Sequence, residues 1–165
     1  MNVLAAMQGF DGRLNRQPFW LVLIILMIVA MVITFVVGYA MTGPRFIQQY
    51  SQGEAQFEGA VAELIGGFVV LYPWLAISVK RLHDRGRTGW WCVPFIALQF
   101  IVNILELLGL SIRYSSNLAG WAFSLVTLAL GVVYLIDLGI LKGTPGPNQY
   151  GPDPLAPSGT STATV

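Results

Sequence analysis

The chain has 165 residues, of which 55% are hydrophobic and only 10% charged, with mean hydropathy +0.67 and formal net charge +1. A water-soluble domain carries about 25% charged residues, and an ion placed mid-bilayer costs about 2.5–3.5 kcal/mol, so charges confined to clusters between long apolar runs describe an integral membrane protein. So small a net charge, with no basic stripe outside the loops, excludes a nucleic-acid partner, and the single cysteine, Cys92, excludes an internal disulfide.

Residues 1–16 do not read as a cleavable signal peptide, because the positive charges follow the weak apolar patch instead of preceding it. A short surface helix ending near Gly9 is expected there, with Val3, Leu4 and Met7 toward lipid. The 23 residues Phe19–Met41 contain no charge. At a rise of ~1.5 Å per residue they reach about 35 Å, enough to cross a ~30 Å hydrocarbon core. Trp20 and Tyr39 stand near the two ends, and Ala30, Thr34 and Gly38 recur every four residues as a seam for another helix. Gly43-Pro44 ends the span.

Ser51-Gln52-Gly53-Glu54 has capping-box spacing, so the next helix is expected to begin at about Gln52, outside the membrane. Its spanning part is placed at 62–79, kinked at Pro73. A third span is placed at 90–110, with Asn103 and Glu106 toward its far end, and a fourth at 118–141, with Asp137 one turn from its exit. Gly120, Ser124, Thr127 and Gly131 share one face of that fourth helix, again suited to close packing. The segment after Lys142 is too rich in glycine and proline for helix, and residues 155–165 read as a disordered tail. The fold expected is a bundle of four transmembrane helices with a short cap.

Four spans divide the loops into two sets. One set carries Arg13, Arg16, Lys80, Arg81, Arg85, Arg87 and Lys142, the other only Arg45 and Arg113. Basic loops stay inside, which puts both termini in the cytoplasm.

The densest cluster is Lys80-Arg81-Leu82-His83-Asp84-Arg85-Gly86-Arg87-Thr88-Gly89-Trp90-Trp91, between the second and third spans. Gly86 suits the left-handed position that stops a helix, and Thr88 suits the cap that starts one. Trp90 and Trp91 suit headgroup depth. One reading makes this turn a topological anchor, with Asp84 paired to Arg13 or Arg16. The other makes Arg13, Arg16, Lys80, Arg81, Arg85 and Arg87 an anion or lipid-headgroup site, helped by backbone N–H groups near Gly86 and Gly89 and oriented by Asp84 and Asp137. Asp137 is the expected buried partner of Arg13, Arg16 or Arg81. His83 lacks the neighbours a metal site needs and cannot face Asp84 on one helix, so it reads as a hydrogen-bonded interface histidine, with a pH-sensitive contact open. Thr88 and Ser78 have no base at a useful spacing, so no nucleophilic chemistry is expected.

Residues 12–20, Gly-Arg-Leu-Asn-Arg-Gln-Pro-Phe-Trp, resemble the opening signature of the domain-of-unknown-function 805 family, small YhaH-like bacterial inner-membrane proteins. The 80–91 stretch resembles that family's Arg-Arg-Leu-His-Asp-x-Gly-x-Ser/Thr-Gly-Trp-Trp turn, and Asn148-Gln149-Tyr150-Gly151-Pro152-Asp153-Pro154 its closing Asn-x-Tyr-Gly-x-x-Pro. Lys80 stands where arginine is usual, and Phe19 where tyrosine is common. The resemblance implies a four-helix protein of the bacterial inner membrane and carries no established activity. The function expected is therefore non-enzymatic: a basic cytoplasmic cap, with Asn148 and Tyr150 docked on it, engages lipid headgroups or a partner membrane protein, including a second copy. No cofactor or metal is expected. The alternative is a small transporter or channel subunit using Asp137 and Glu106.

Overall fold

Asn15 begins the first long helix because its side-chain oxygen accepts the otherwise unpartnered N–H of Gln17 (3.1 Å). The computed structural model describes residues 3–52, 54–108 and 118–156, all helix, turn and loop. In order, α1 is Val3–Ala6, α2 Arg16–Thr42, α3 Phe46–Ser51, α4 Gln56–Asp84, α5 Val93–Leu107 and α6 Leu118–Leu135. Short 3-10 turns, Gly43–Arg45 and Gly89–Cys92, precede α3 and α5, and a π-helical turn, Ile136–Ile140, extends α6. Among the described residues, three helical stretches are long and apolar enough to cross a membrane: Arg16–Ser51, Phe57–Asp84 and Trp121–Ile140.

The α2 seam does what its spacing predicts. Ala30 and Thr34 face Gly66 of α4, where a Cβ would lie 2.9 Å from Thr34 Oγ1, and the ring of Phe46 folds back over Gly38. The matching stripe on α6 does not. Gly131 has open space around it and Ser124 is exposed, so at these two positions the face meets no helix among the described residues.

Close packing concentrates at the end of the bundle that carries the 80–91 loop. Phe19, Val22, Leu23 and Leu26, at i, i+3, i+4 and i+7 on α2, bury against Ile77 and Leu82 of α4, Cys92, and Leu138 of the π turn. Ala6 joins this core and Met7 packs against it, so α1 rests on the bundle while Leu4 points out. Trp74, Phe95 and Tyr134 form a three-ring cluster, each within 5.6 Å of the other two, and tie α4, α5 and α6 together. Outward-facing Ile24, Met27, Ile28, Met31, Leu125, Leu128 and Val133 are exposed, an apolar surface a soluble domain does not carry.

Two sequence expectations change. Helix α4 starts at Gln56, and Ser51 instead closes α3, its hydroxyl donating to Gln48 O (2.9 Å); Gly53 lies outside the described residues. Helix α5 has 15 residues, about 22 Å at ~1.5 Å each, short of the ~20 residues of a typical span. Gly109, Leu110 and Arg113 lie outside the described residues, as does the tail beyond Ala156. Pro73 lies inside α4, which runs from Gln56 to Asp84 as one helix.

Candidate functional site

Because α4 continues past the apolar region, its last turn carries Lys80, Arg81 and Asp84 into a buried position between α1, α2 and the chain after α6. Asp84 is the centre. Oδ1 accepts from Arg13 Nε (3.0 Å) and Oδ2 from Arg81 Nη1, with all three side chains at most 4% exposed. The backbone of Gly143 lies against this carboxylate so closely that a Cβ there would collide with it. Arg13 also donates to the carbonyls of Thr144 (2.6 Å) and Gly146 (2.6 Å), and Thr144 N–H returns to Asp84 O (2.8 Å).

The end of the last helix explains the remaining donors. A helix leaves its final four carbonyls without partners, and cations near that end are favoured by its dipole. Here each carbonyl takes one side-chain donor. Arg81 Nε donates to Leu138 O (2.6 Å), Trp20 Nε1 to Gly139 O (3.1 Å), Arg16 Nη1 to Ile140 O (3.0 Å) and Arg81 Nη2 to Leu141 O. Arg85 Nη1 donates to the next carbonyl, Lys142 O (3.1 Å). Lys80 serves the other short helix in the same way, its ammonium donating to Ala6 O (3.1 Å) and Gln8 O (2.7 Å) at the end of α1.

The turn after α4 is a Schellman motif. Gly86 sits at φ +69°, its N–H donates to His83 O, and Arg87 N–H donates to Leu82 O, both at 2.9 Å. Thr88 holds the extended backbone of a cap but its hydroxyl makes no capping bond, and Gly89 packs against Val79. Trp90 and Trp91 are 79% and 61% exposed, and the Arg87 guanidinium lies over the Trp91 ring at 5.5 Å. On the other flank Asn148 Nδ2 donates to His83 O (2.9 Å), while Tyr150 lies flat on the His83 ring at 3.8 Å. His83 Nδ1 faces Gly12 O at 3.3 Å, so the residue is an interface histidine between all three segments.

The structure therefore brings residues 12–16, 80–91 and 137–151 together, but divides the expected anion ligands. Arg81 is 0% exposed and each of its nitrogens has a partner inside the protein, so no external anion reaches it. Arg13 and Lys80 are likewise committed to internal carbonyls. Asp137 does not pair with Arg13, Arg16 or Arg81. The π turn swings it outward, 2.9 Å from both Arg85 Nε and Arg87 Nη1. It is thus held by two arginines of the cap instead of facing a path through the bundle, and the side chain of Glu106 lies outside the description. Sequence reading missed the structural arginines because their partners are backbone carbonyls. It missed Lys142 and Gln17 because both look like ordinary boundary residues.

What remains open is a cleft of about 440 Å³ at the start of α2. Buried Arg13, Arg81 and Asp84 form its floor, with Arg16, Gln17 and Lys142 at its rim and Thr144, Asp153 and Leu155 along one wall. Four cations against two carboxylates leave the lining net positive. Asn15 already caps Gln17 N–H and Pro18 has no N–H, so side chains, those of Arg16, Gln17 and Lys142 among them, supply donors at the cleft rim.

The chain is 29% identical over 154 residues to the inner membrane protein YhaH of Escherichia coli K12, covering 93% of each. It is 33% identical over 146 residues to the uncharacterized protein YiiR of the same strain (88% of this chain, 85% of the relative) and 27% identical over 154 residues to the inner membrane protein YhaI (93% and 92%). No solved structure matches. Residues 7–152 match the family described as protein of unknown function DUF805, and that stretch includes Arg13, Asp84 and Gly151 of the cap. The chain belongs to the DUF805 family.

Proposed function

We propose that this is a non-enzymatic protein of the bacterial inner membrane whose cap holds the phosphate of an anionic lipid headgroup in the cleft at the start of α2. The carrying observation is the division of labour among the cations: Arg13 and Arg81 neutralise Asp84 from within, leaving Arg16 and Lys142 at the rim of a net-positive cleft. Arg87, its side chain 43% exposed beside Trp91, forms a second basic edge at the same level. The two exposed tryptophans fix the depth of that edge in the interface. Four crossings, with α5 and the residues beyond it making the third, and both termini in the cytoplasm complete the reading. Its support is the excess of basic residues around the cap and the names of the relatives YhaH and YhaI.

The test is native mass spectrometry of the full chain released from bilayers of mixed phosphatidylglycerol, cardiolipin and phosphatidylethanolamine. Wild type is expected to retain anionic lipid preferentially. Arg16→Ala with Lys142→Ala removes two juxtamembrane cations, about 2 kcal/mol or roughly thirtyfold in retention. Lys142→Ala alone, which touches no helix-end carbonyl through its side chain, shows about half that free-energy loss. Unchanged retention in both variants overturns the proposal.

A further inference from the structure

A second cavity of about 340 Å³ lies between α2, α4 and α5, away from the cap. Helix α4 packs on both neighbours, and α2 and α5 stand apart over the opening. Two aromatic pairs join α4 to α5 along its wall: Phe68 with Phe100, centroids 5.6 Å apart and edge-on, and Trp74 with Phe95, 5.6 Å apart and stacked. Gly67 leaves room on the α4 side, since a Cβ there would meet nothing within 4 Å.

Asn103 of α5 lines this cavity and is only 9% exposed. Its Nδ2 donates to Gln99 O (2.8 Å), and because a carbonyl only accepts, that bond fixes which end of the amide is nitrogen. The other end, Oδ1, is buried with no donor among the described residues. A buried acceptor without a donor costs free energy that a ligand hydroxyl restores. A lone water would satisfy the oxygen, but it would leave the aromatic walls without contacts. A hydrocarbon chain would cover the walls and leave the oxygen unbonded.

We propose that this cavity binds a membrane-soluble hydroquinol or related phenol, its hydroxyl donating to Asn103 Oδ1, its ring against the aromatic pairs and its tail leaving between α2 and α5. Aromatic rings favour offset or edge-on partners at the spacing these walls already show, which selects a flat head over an aliphatic alcohol. The site is independent of the cap, shares no lining residue with it, and stands or falls separately.

The test uses the full chain in phosphatidylcholine nanodiscs, with decylhydroquinone kept reduced as the probe and its dimethyl ether as the donor-free control. Wild type is expected to bind the hydroquinone, and Asn103→Leu to weaken it about tenfold, one hydrogen bond, while leaving the ether unchanged. Without probe, Asn103→Leu should unfold at the wild-type temperature or above, because it removes an unsatisfied acceptor. Gly67→Phe, which fills the space, should abolish binding while the protein stays folded. The proposal is overturned if the ether binds as well as the hydroquinone, if Gly67→Phe binds normally, if dioctanoylglycerol competes equally, or if no probe binds.

Discussion

Asp84 takes two guanidinium groups at once, in a place where the most exposed of the three side chains is at 4%. Removing one charge from a buried cluster costs more than the cluster is worth, because the partners stay buried without compensation. Asp84→Asn is therefore expected to lose about 3–5 kcal/mol in unfolding of the detergent-solubilised chain. Asp137→Asn, whose Arg87 partner is 43% exposed, should lose on the order of 1 kcal/mol. Equal losses would show that the Asp84 cluster is no more desolvated than the Asp137 pair. The pairing of Asp84 with Arg13 was legible in the sequence, since both lie in basic segments assigned to one face. The role of Arg81 was not. Its partners are the carbonyls of Leu138 and Leu141, and nothing in a list of side chains says where a helix will run out of backbone donors.

At the scale of elements, the seam on α2 was readable because Gly66 of α4 supplies the complementary gap, and residue size at fixed spacing is what sequence records. The similar stripe on α6 shows no such partner at Ser124 or Gly131 among the described residues, so similar spacing carried different meanings. The segment from Gly143 to Ala156 was readable only as irregular. The structure makes it a strap, pinned by Arg13, by Asn148 on His83 O, and by Asp153, which accepts from Gly146 N–H (3.0 Å) and Leu155 N–H (2.9 Å). Those two backbone bonds, first Leu155 and then Gly146, favour the carboxylate and hold its pKa below the ordinary 3.8, with Arg13 adding in the same direction. A group with a depressed folded pKa stabilises the strap above its unfolded value and loses that contribution as pH falls through the folded one. The amide resonances of Gly146 and Leu155 should stay constant down to about pH 5 and then shift with a common midpoint below 3.8, and Asp153→Asn should abolish the shift. A midpoint at or above 3.8 would contradict the strap geometry.

Across the whole molecule, Gly12, His83 and Asn148 meet at one point, which ties the start, middle and end of the chain to one side of the bundle. Cysteines placed at Thr88 and Gln149 in a Cys92→Ser background should both resist a membrane-impermeant thiol reagent in intact cells and both react in inverted vesicles. Labelling from opposite sides would rule out the fold. The same convergence sets an order on biosynthesis. Arg13 and Arg81 leave the ribosome before their carbonyl partners at Leu138, Leu141, Thr144 and Gly146. Until α6 and the residues after it are made, the two arginines have the Asp84 carboxylate but lack the carbonyls that take their remaining N–H groups. Synthesis through Gly146 is thus written into the cap, because a copy stopped before α6 keeps the Asp84 pairs and leaves the other guanidinium N–H groups without acceptors.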